Sequence, residues 1–277
     1  MNILGIDFEE WYHPQLIQKY LKNEDKDLKV TNGLDLILDW LRRNDTYATF
    51  FIVGDILEKK PDILDKISSE GHEIAFHTMF HNRLDGENYN KEKFSEEIKK
   101  FKELTNNNSK GFRAPTFSLN EKSSWVIDVL EEFGYVYDSS IVPVKTKMYG
   151  LENAEEKPYF ISSKNLKENN PNGKIKEFPL LVTKFLGKKI PAAGGFYVRT
   201  LPTKIIKNAI KKYEKKEIPA TFYIHSWELT PQFMPKISMS KMDSFITYHN
   251  IEKSMKKMDQ ILKEFKFTSF EKYLKKN

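Results

Sequence analysis

The chain has 277 residues, of which 39% are apolar and 30% charged, with no cysteine and a formal net charge of +6. That length can bury a sizeable core, no apolar run is long enough for a transmembrane helix, and any metal must be held by histidine and carboxylate because thiolates are absent. The lysines are scattered over helices and the terminal Lys272–Lys276 with no binding motif beside them, so nucleic acid is not an expected partner.

In chain order, Asn2–Asp7 reads as the first strand. It opens so early that no signal segment fits before it, which gives the expectation of a cytoplasmic protein. Leu34, Ile37, Leu38 and Leu41 have the spacing of a helix over about Gly33–Arg43. Ala48–Val53 is the next strand, closed by Gly54. Pro61 opens a helix carrying Ile63, Leu64 and Ile67, and Gly71 stops it. Glu73–Phe76 is the third strand. A helix through Phe94, Ile98 and Phe101 leads to the Gly111–Arg113 strand. Asn120 is placed to cap a helix carrying Val126, Val129, Leu130 and Phe133, and Tyr135–Asp138 is a further strand.

The segment Val144–Lys176 breaks this rhythm, and its polar centre Lys164–Gly173 reads as a loop or surface hairpin. A helix near Thr203–Lys215, a strand Ala220–His225, a helix marked by Ile251, Met255, Met258, Leu262 and Phe265, and a short strand at Phe267 complete the chain. No linker or internal repeat interrupts it. Repeated βα units around one core predict a single parallel, barrel-like α/β domain over residues 1–277, with a polar insertion near 144–176.

Polar residues of chemical interest fall at or just beyond the carboxyl ends of these strands, the edge where parallel α/β proteins assemble their sites. His77 and His81 are four apart, and on one helical turn two imidazoles at that spacing can share a metal ion. Asp7 and Glu9 would share a face of the first strand and Glu10 would point away, so one carboxylate can complete the metal site while another takes a proton from water. Arg113 can hold a neighbouring carboxylate ionised, and Pro115 fixes a turn whose next N–H, that of Thr116, can face an oxyanion. His225 can protonate a departing amine. Phe117, Tyr197 and Trp227 offer flat faces to a sugar ring, and Asp138, at a strand end, is a further candidate for substrate contact. His72 belongs to a turn, His249 to the surface, and His13 has no assigned role. Together these parts suit hydrolysis of an amide.

The motifs resemble those of the polysaccharide deacetylases, the NodB-homology domain of carbohydrate esterase family 4. Asp7-Phe8-Glu9-Glu10-Trp11 resembles the first acidic motif, His77-Thr78-Met79-Phe80-His81 the His-[Ser/Thr]-x-x-His motif, Phe112–Phe117 the Arg-x-Pro motif, and Tyr137-Asp138-Ser139-Ser140 the Asp-Ser-Ser motif. Gly194–Arg199 and Tyr223–Leu229 resemble later motifs of a branch associated with exopolysaccharide synthesis.

The resemblance implies an irregular (β/α) barrel of about seven parallel strands. It implies Asp7 as catalytic base, His77 and His81 as metal ligands, Arg113 as partner of the base, His225 as general acid and the Thr116 N–H as oxyanion donor. Strand geometry favours Glu9 as the third ligand, with Glu10 as the alternative. The expected cofactor is one divalent ion, zinc by default, with cobalt, nickel or iron also suited. The expected substrate is an N-acetylated amino sugar in a polysaccharide, oligosaccharide or glycan precursor. Another amide hydrolase, acting on formamido sugars or cyclic amides, and a non-catalytic carbohydrate-binding protein are the alternatives.

Overall fold

All seven residues of the first strand, β1 (Asn2–Phe8), are buried, as befits a central strand of a parallel sheet covered on both faces. The computed structural model describes residues 1–21 and 26–276. The strands that follow are β2 (Thr49–Ile52), β3 (Glu73–Phe76), β4 (Gly111–Phe112), β5 (Tyr137–Asp138), β6 (Tyr159–Ile161), β7 (Ile175–Glu177), β8 (Val182–Phe185), β9 (Lys188–Pro191), β10 (Thr221–His225) and β11 (Phe267–Thr268). In the main sheet the order is β10-β1-β2-β3-β4-β5-β7-β6, with β11 also pairing β1. From β10 to β7 every pairing is parallel, whereas β6 runs antiparallel to β7. A parallel bridge from Leu180 to Thr221 brings the far edge round to β10. The seven consecutive parallel strands from β10 to β7 are those expected of the irregular barrel, and β6 and β11 extend the sheet to nine.

The register fixes where chemistry can gather. Asp7 is opposite both Phe51 and His225, Ile52 is opposite Phe76, and Phe76 is opposite Phe112. The strands thus end at a common edge, and Glu9, His77 and Arg113 are the residues that emerge there. Helices such as Leu34–Arg43 close the outer face with the stripe read from sequence, burying Leu34, Ile37, Leu38 and Leu41 together with Trp40.

Several local readings are corrected. Gly54 starts a helix, Gly54–Lys59, instead of merely closing β2. Asn120 does not cap the helix Trp125–Glu132, whose N-cap is Ser124. Its side-chain oxygen accepts the Lys122 N–H at 2.9 Å, holding the turn before that helix. The fold does not end at β11, because the Ser269 side chain accepts the Lys272 N–H and caps a helix Phe270–Leu274. The hairpin β8–β9 and the helices Gly195–Thr200 and Lys241–Tyr248 are additions to the sequence reading.

Asp138 and Glu177 are register partners on β5 and β7, both fully buried. Burial and mutual repulsion push the Glu177 carboxyl well above its ordinary range, so the pair keeps a shared proton. A carboxyl whose folded pKa is raised contributes stability below its unfolded pKa, and that contribution is lost as pH rises through the folded value. The native chain should therefore lose stability as pH rises above the ordinary carboxylate range toward the raised folded value. Glu177→Gln keeps an acceptor for the Ile141 N–H, 3.0 Å away, and supplies a permanent donor to Asp138. Its melting temperature should fall less than the native one as pH rises, which thermal denaturation across pH will check.

Candidate active site

Asp7 leaves the end of β1 with its Oδ1 2.6 Å from Arg113 Nη1, both side chains buried. The guanidinium is held from all sides. Nε donates to the Ser139 carbonyl and Nη2 to the Ser139 hydroxyl, each at 2.9 Å, and the plane lies 4.0 Å over the Phe51 ring. This close packing requires glycine on the strand below. A Cβ at Gly5 would sit 2.6 Å from Arg113 Nη1 and 2.8 Å from the Phe51 ring. Gly5→Ala should therefore displace Arg113 and cost about 1–3 kcal/mol through overpacking. A lowered melting temperature together with a lowered turnover would register both effects.

His77 and His81 do meet, with ring centroids 5.0 Å apart, but not on a helical turn. The chain after β3 is irregular, with Thr78 and His81 both left-handed at φ 58° and 56°. His77 Nδ1 lies 2.7 Å from the Arg113 carbonyl, which can only accept. That contact places a proton on Nδ1, so Nε2 is the nitrogen left to offer a lone pair to a metal. This Nε2 lies 3.3 Å from Glu9 Oε1, and His81 Nε2 lies 3.0 Å from the same oxygen without hydrogen-bond geometry. A carboxylate facing two imidazole nitrogens in a buried space calls for positive charge between them. Glu9, His77 and His81 each offer a donor atom within 4.8 Å of the others, and two imidazoles with one carboxylate suit a divalent cation that retains open positions. The residues fit a metal.

Glu10 is directed elsewhere. Its carboxylate accepts the backbone N–H groups of Lys29, Val30 and Thr31 at 2.8–3.0 Å, so the alternative ligand of the sequence reading instead ties the chain at 29–31 to the end of β1. His13, unassigned from sequence, accepts the Glu10 N–H at 2.9 Å through Nδ1 and reaches Asp55 at 3.1 Å through Nε2. Its ring stacks 6.0 Å from that of His81.

His225, at the end of β10, gives its Nδ1 to Glu228 Oε2 at 2.7 Å and stacks on Trp227 at 4.5 Å. Burial disfavours its charge, but the charge and hydrogen bond of Glu228 prevail and push it up to about 9. Glu228 is in turn 2.6 Å from Arg199 Nε. The remaining Arg199 nitrogens donate to the carbonyls of Ile246, Thr247 and His249 at 2.8–3.1 Å. Neither Glu228 nor Arg199 was assigned a role from sequence. The available signal was an acid three residues after a strand-end histidine, the i, i+3 spacing of a capping box.

Asp7, Glu9, His81 and His225 open on one cavity of about 330 Å³. Thr116, Phe117, Tyr197 and Trp227 line it as expected from sequence, joined by Tyr149 and Tyr223. Thr116 and Phe117 both have positive φ, 52° and 50°. Backbone strain of this kind costs about 1–3 kcal/mol per residue and clusters at functional positions. Asp138 is not among the lining residues. It is interior, bonded to the Ser140 hydroxyl at 2.5 Å, and so supports the strand ends from below where the sequence suggested substrate contact.

A family model described as Polysaccharide deacetylase matches residues 20–137, and one described as a domain of unknown function, DUF3473, matches residues 139–275. A peptidoglycan-N-acetylglucosamine deacetylase of Bacillus cereus is 39% identical over 84 residues, which cover 28% of this chain and 30% of the relative. Another protein of that name from the same organism is 35% identical over 102 residues, covering 36% and 46%. The chain thus matches less than half the length of these two relatives. A provisionally assigned polysaccharide deacetylase from Mycobacterium smegmatis superposes with a TM-score of 0.55 at 15% identity, over 98% of this chain and 88% of that one. That likeness speaks for a shared fold.

Proposed function

We propose that the chain, whose residues 20–137 match the Polysaccharide deacetylase model, hydrolyses the N-acetyl group of an amino sugar, releasing acetate, with a divalent cation held by Glu9, His77 and His81. The observation that carries this reading is convergence. A carboxylate locked to a buried arginine, a histidine locked to a buried carboxylate and a three-donor metal site share one aromatic-walled cavity.

The cation, when bound, supplies Lewis-acid polarisation of the amide carbonyl and acidifies water. The protein residues do the rest. Asp7, paired with Arg113, takes a proton from the attacking water. The Thr116 N–H is the proposed backbone donor to the developing oxyanion. His225 carries a proton near neutral pH and has Nδ1 engaged by Glu228, so its Nε2–H is the one available to the departing nitrogen. Aromatic walls at Phe117, Tyr197 and Trp227 would hold the sugar ring. The single catalytic unit over 1–277 is part of the proposal. Arg113 and the histidine pair lie in the first matched segment, His225 and Glu228 in the second, and Asp7 precedes both.

The finer reading takes an N-acetylglucosamine-type residue, in an exopolysaccharide or its precursor, as substrate. Incubation of the purified chain with N-acetylated chitooligosaccharides and with N-acetylated exopolysaccharide, with acetate and formate both quantified, tests it. Acetate release that a chelator abolishes and a divalent cation restores is the expected result. Formate alone would move the assignment to a deformylase. Sugar binding with no hydrolysis by the metal-loaded chain would move it to a carbohydrate-binding protein.

A further inference from the structure

The hairpin β8–β9 forms its own two-stranded sheet, outside the barrel. Phe185 pairs with Lys188 across a two-residue turn, and the turn residues Leu186 and Gly187 have φ of 48° and 77°. Positive φ at both positions defines the I′ class, where asparagine, aspartate and glycine are favoured and a leucine is strained. Leu186 is also 87% exposed, more than any other large apolar side chain among the described residues. A strained leucine in water contributes nothing to the fold that asparagine would not contribute better. Phe185 beside it is exposed too. Lys184 and Lys188 flank the pair, are exposed, and have no ion-pair partner among the described residues. Lys189 is held 2.6 Å from Glu156.

We propose that this hairpin is a docking finger for an anionic bilayer surface, with Phe185 and Leu186 entering the interface and Lys184 and Lys188 meeting acidic headgroups. Two apolar side chains fall far short of the area a stable protein interface needs. They suffice for interfacial partitioning when cations flank them. The net charge of +6 acts in the same direction. No helix among the described residues is long and apolar enough to cross a membrane, so attachment through the finger would be peripheral and reversible. Beyond β9 the chain passes within a few residues into the helix Gly195–Thr200, whose Phe196 and Tyr197 line the cavity. An anchored finger therefore tethers a wall of the site.

Vesicle co-sedimentation of the full chain tests this, using phosphatidylcholine vesicles with and without phosphatidylglycerol. The native chain should bind the anionic vesicles and release in high salt. Leu186→Asn suits the turn better than leucine, so it should keep or raise the melting temperature while weakening vesicle binding about tenfold to a hundredfold. Lys184→Glu/Lys188→Glu should weaken it as well. Failure of the native chain to bind, equal binding to both vesicle types, or undiminished binding by the folded Leu186→Asn variant would each overturn the proposal. A native dimer that Leu186→Asn dissociates would overturn it too, assigning the tip to self-association.

Discussion

The His77→Ala/His81→Ala variant should purify without bound metal and release no acetate, while the native chain carries about one divalent ion. Removing both imidazoles leaves Glu9 as the sole member of the three-donor set, and a lone carboxylate does not retain a transition metal against buffer. The effect should be large, because the other donors near Glu9 are already engaged, Asp7 by Arg113 and His225 by Glu228. Glu9 is buried, and burial opposes its ionisation, yet the surrounding histidines, the charge of His225 among them, hold its carboxyl well below the usual carboxylate range. Elemental analysis beside the native protein reads the first half of the expectation and acetate release the second. Retention of a full equivalent of metal by the variant would remove this trio from the mechanism. Circular dichroism serves as the folding control, since both rings lie on irregular chain beyond β3 and not within the sheet.

Much of this arrangement is legible in the sequence because strand ends in parallel α/β folds share an edge. Asp7, His77, Arg113 and His225 could be placed together from the order of apolar runs alone, and the register of β1 with β10 puts Asp7 directly opposite His225. What sequence could not supply was local geometry off the strands. The spacing of His77 and His81 suggested a helical turn, but left-handed Thr78 and His81 bring the rings together differently. Alternation along β1 favoured Glu9 over Glu10. It gave no hint that Glu10 would gather three backbone N–H groups from residues 29–31. Asp138 ends a strand as the site residues do, yet it faces Glu177 across β5 and β7, a pairing visible only once the hairpin that follows is placed. Arg199 and Glu228 were hidden for a similar reason. Their roles depend on Arg199 reaching carbonyls at residues 246–249, a contact between segments with no shared periodicity.

Asp7→Asn separates base from ligand at this site. Asparagine preserves the shape and can still accept from Arg113 Nη1, but it cannot take a proton from water. Hydrolysis should fall by about 10²–10⁴-fold, with metal content unchanged, because the nearer oxygen of Asp7 belongs to Arg113 and the histidine pair is completed by Glu9. The substitution also leaves a fully buried guanidinium without its anion. Loss of one partner of a buried pair costs about 3–5 kcal/mol, offset in part here by the Ser139 carbonyl and hydroxyl and by the Phe51 ring that remain around Arg113. A lowered melting temperature is thus expected along with lost turnover, and assays belong well below it. Metal content is the measurement that decides the role. Asp7 and Glu9 also form a second possible donor set with His225, so metal lost from Asp7→Asn would make Asp7 a ligand. Metal retained with turnover lost would leave proton transfer as its task, and Arg113 as the group that keeps it ready.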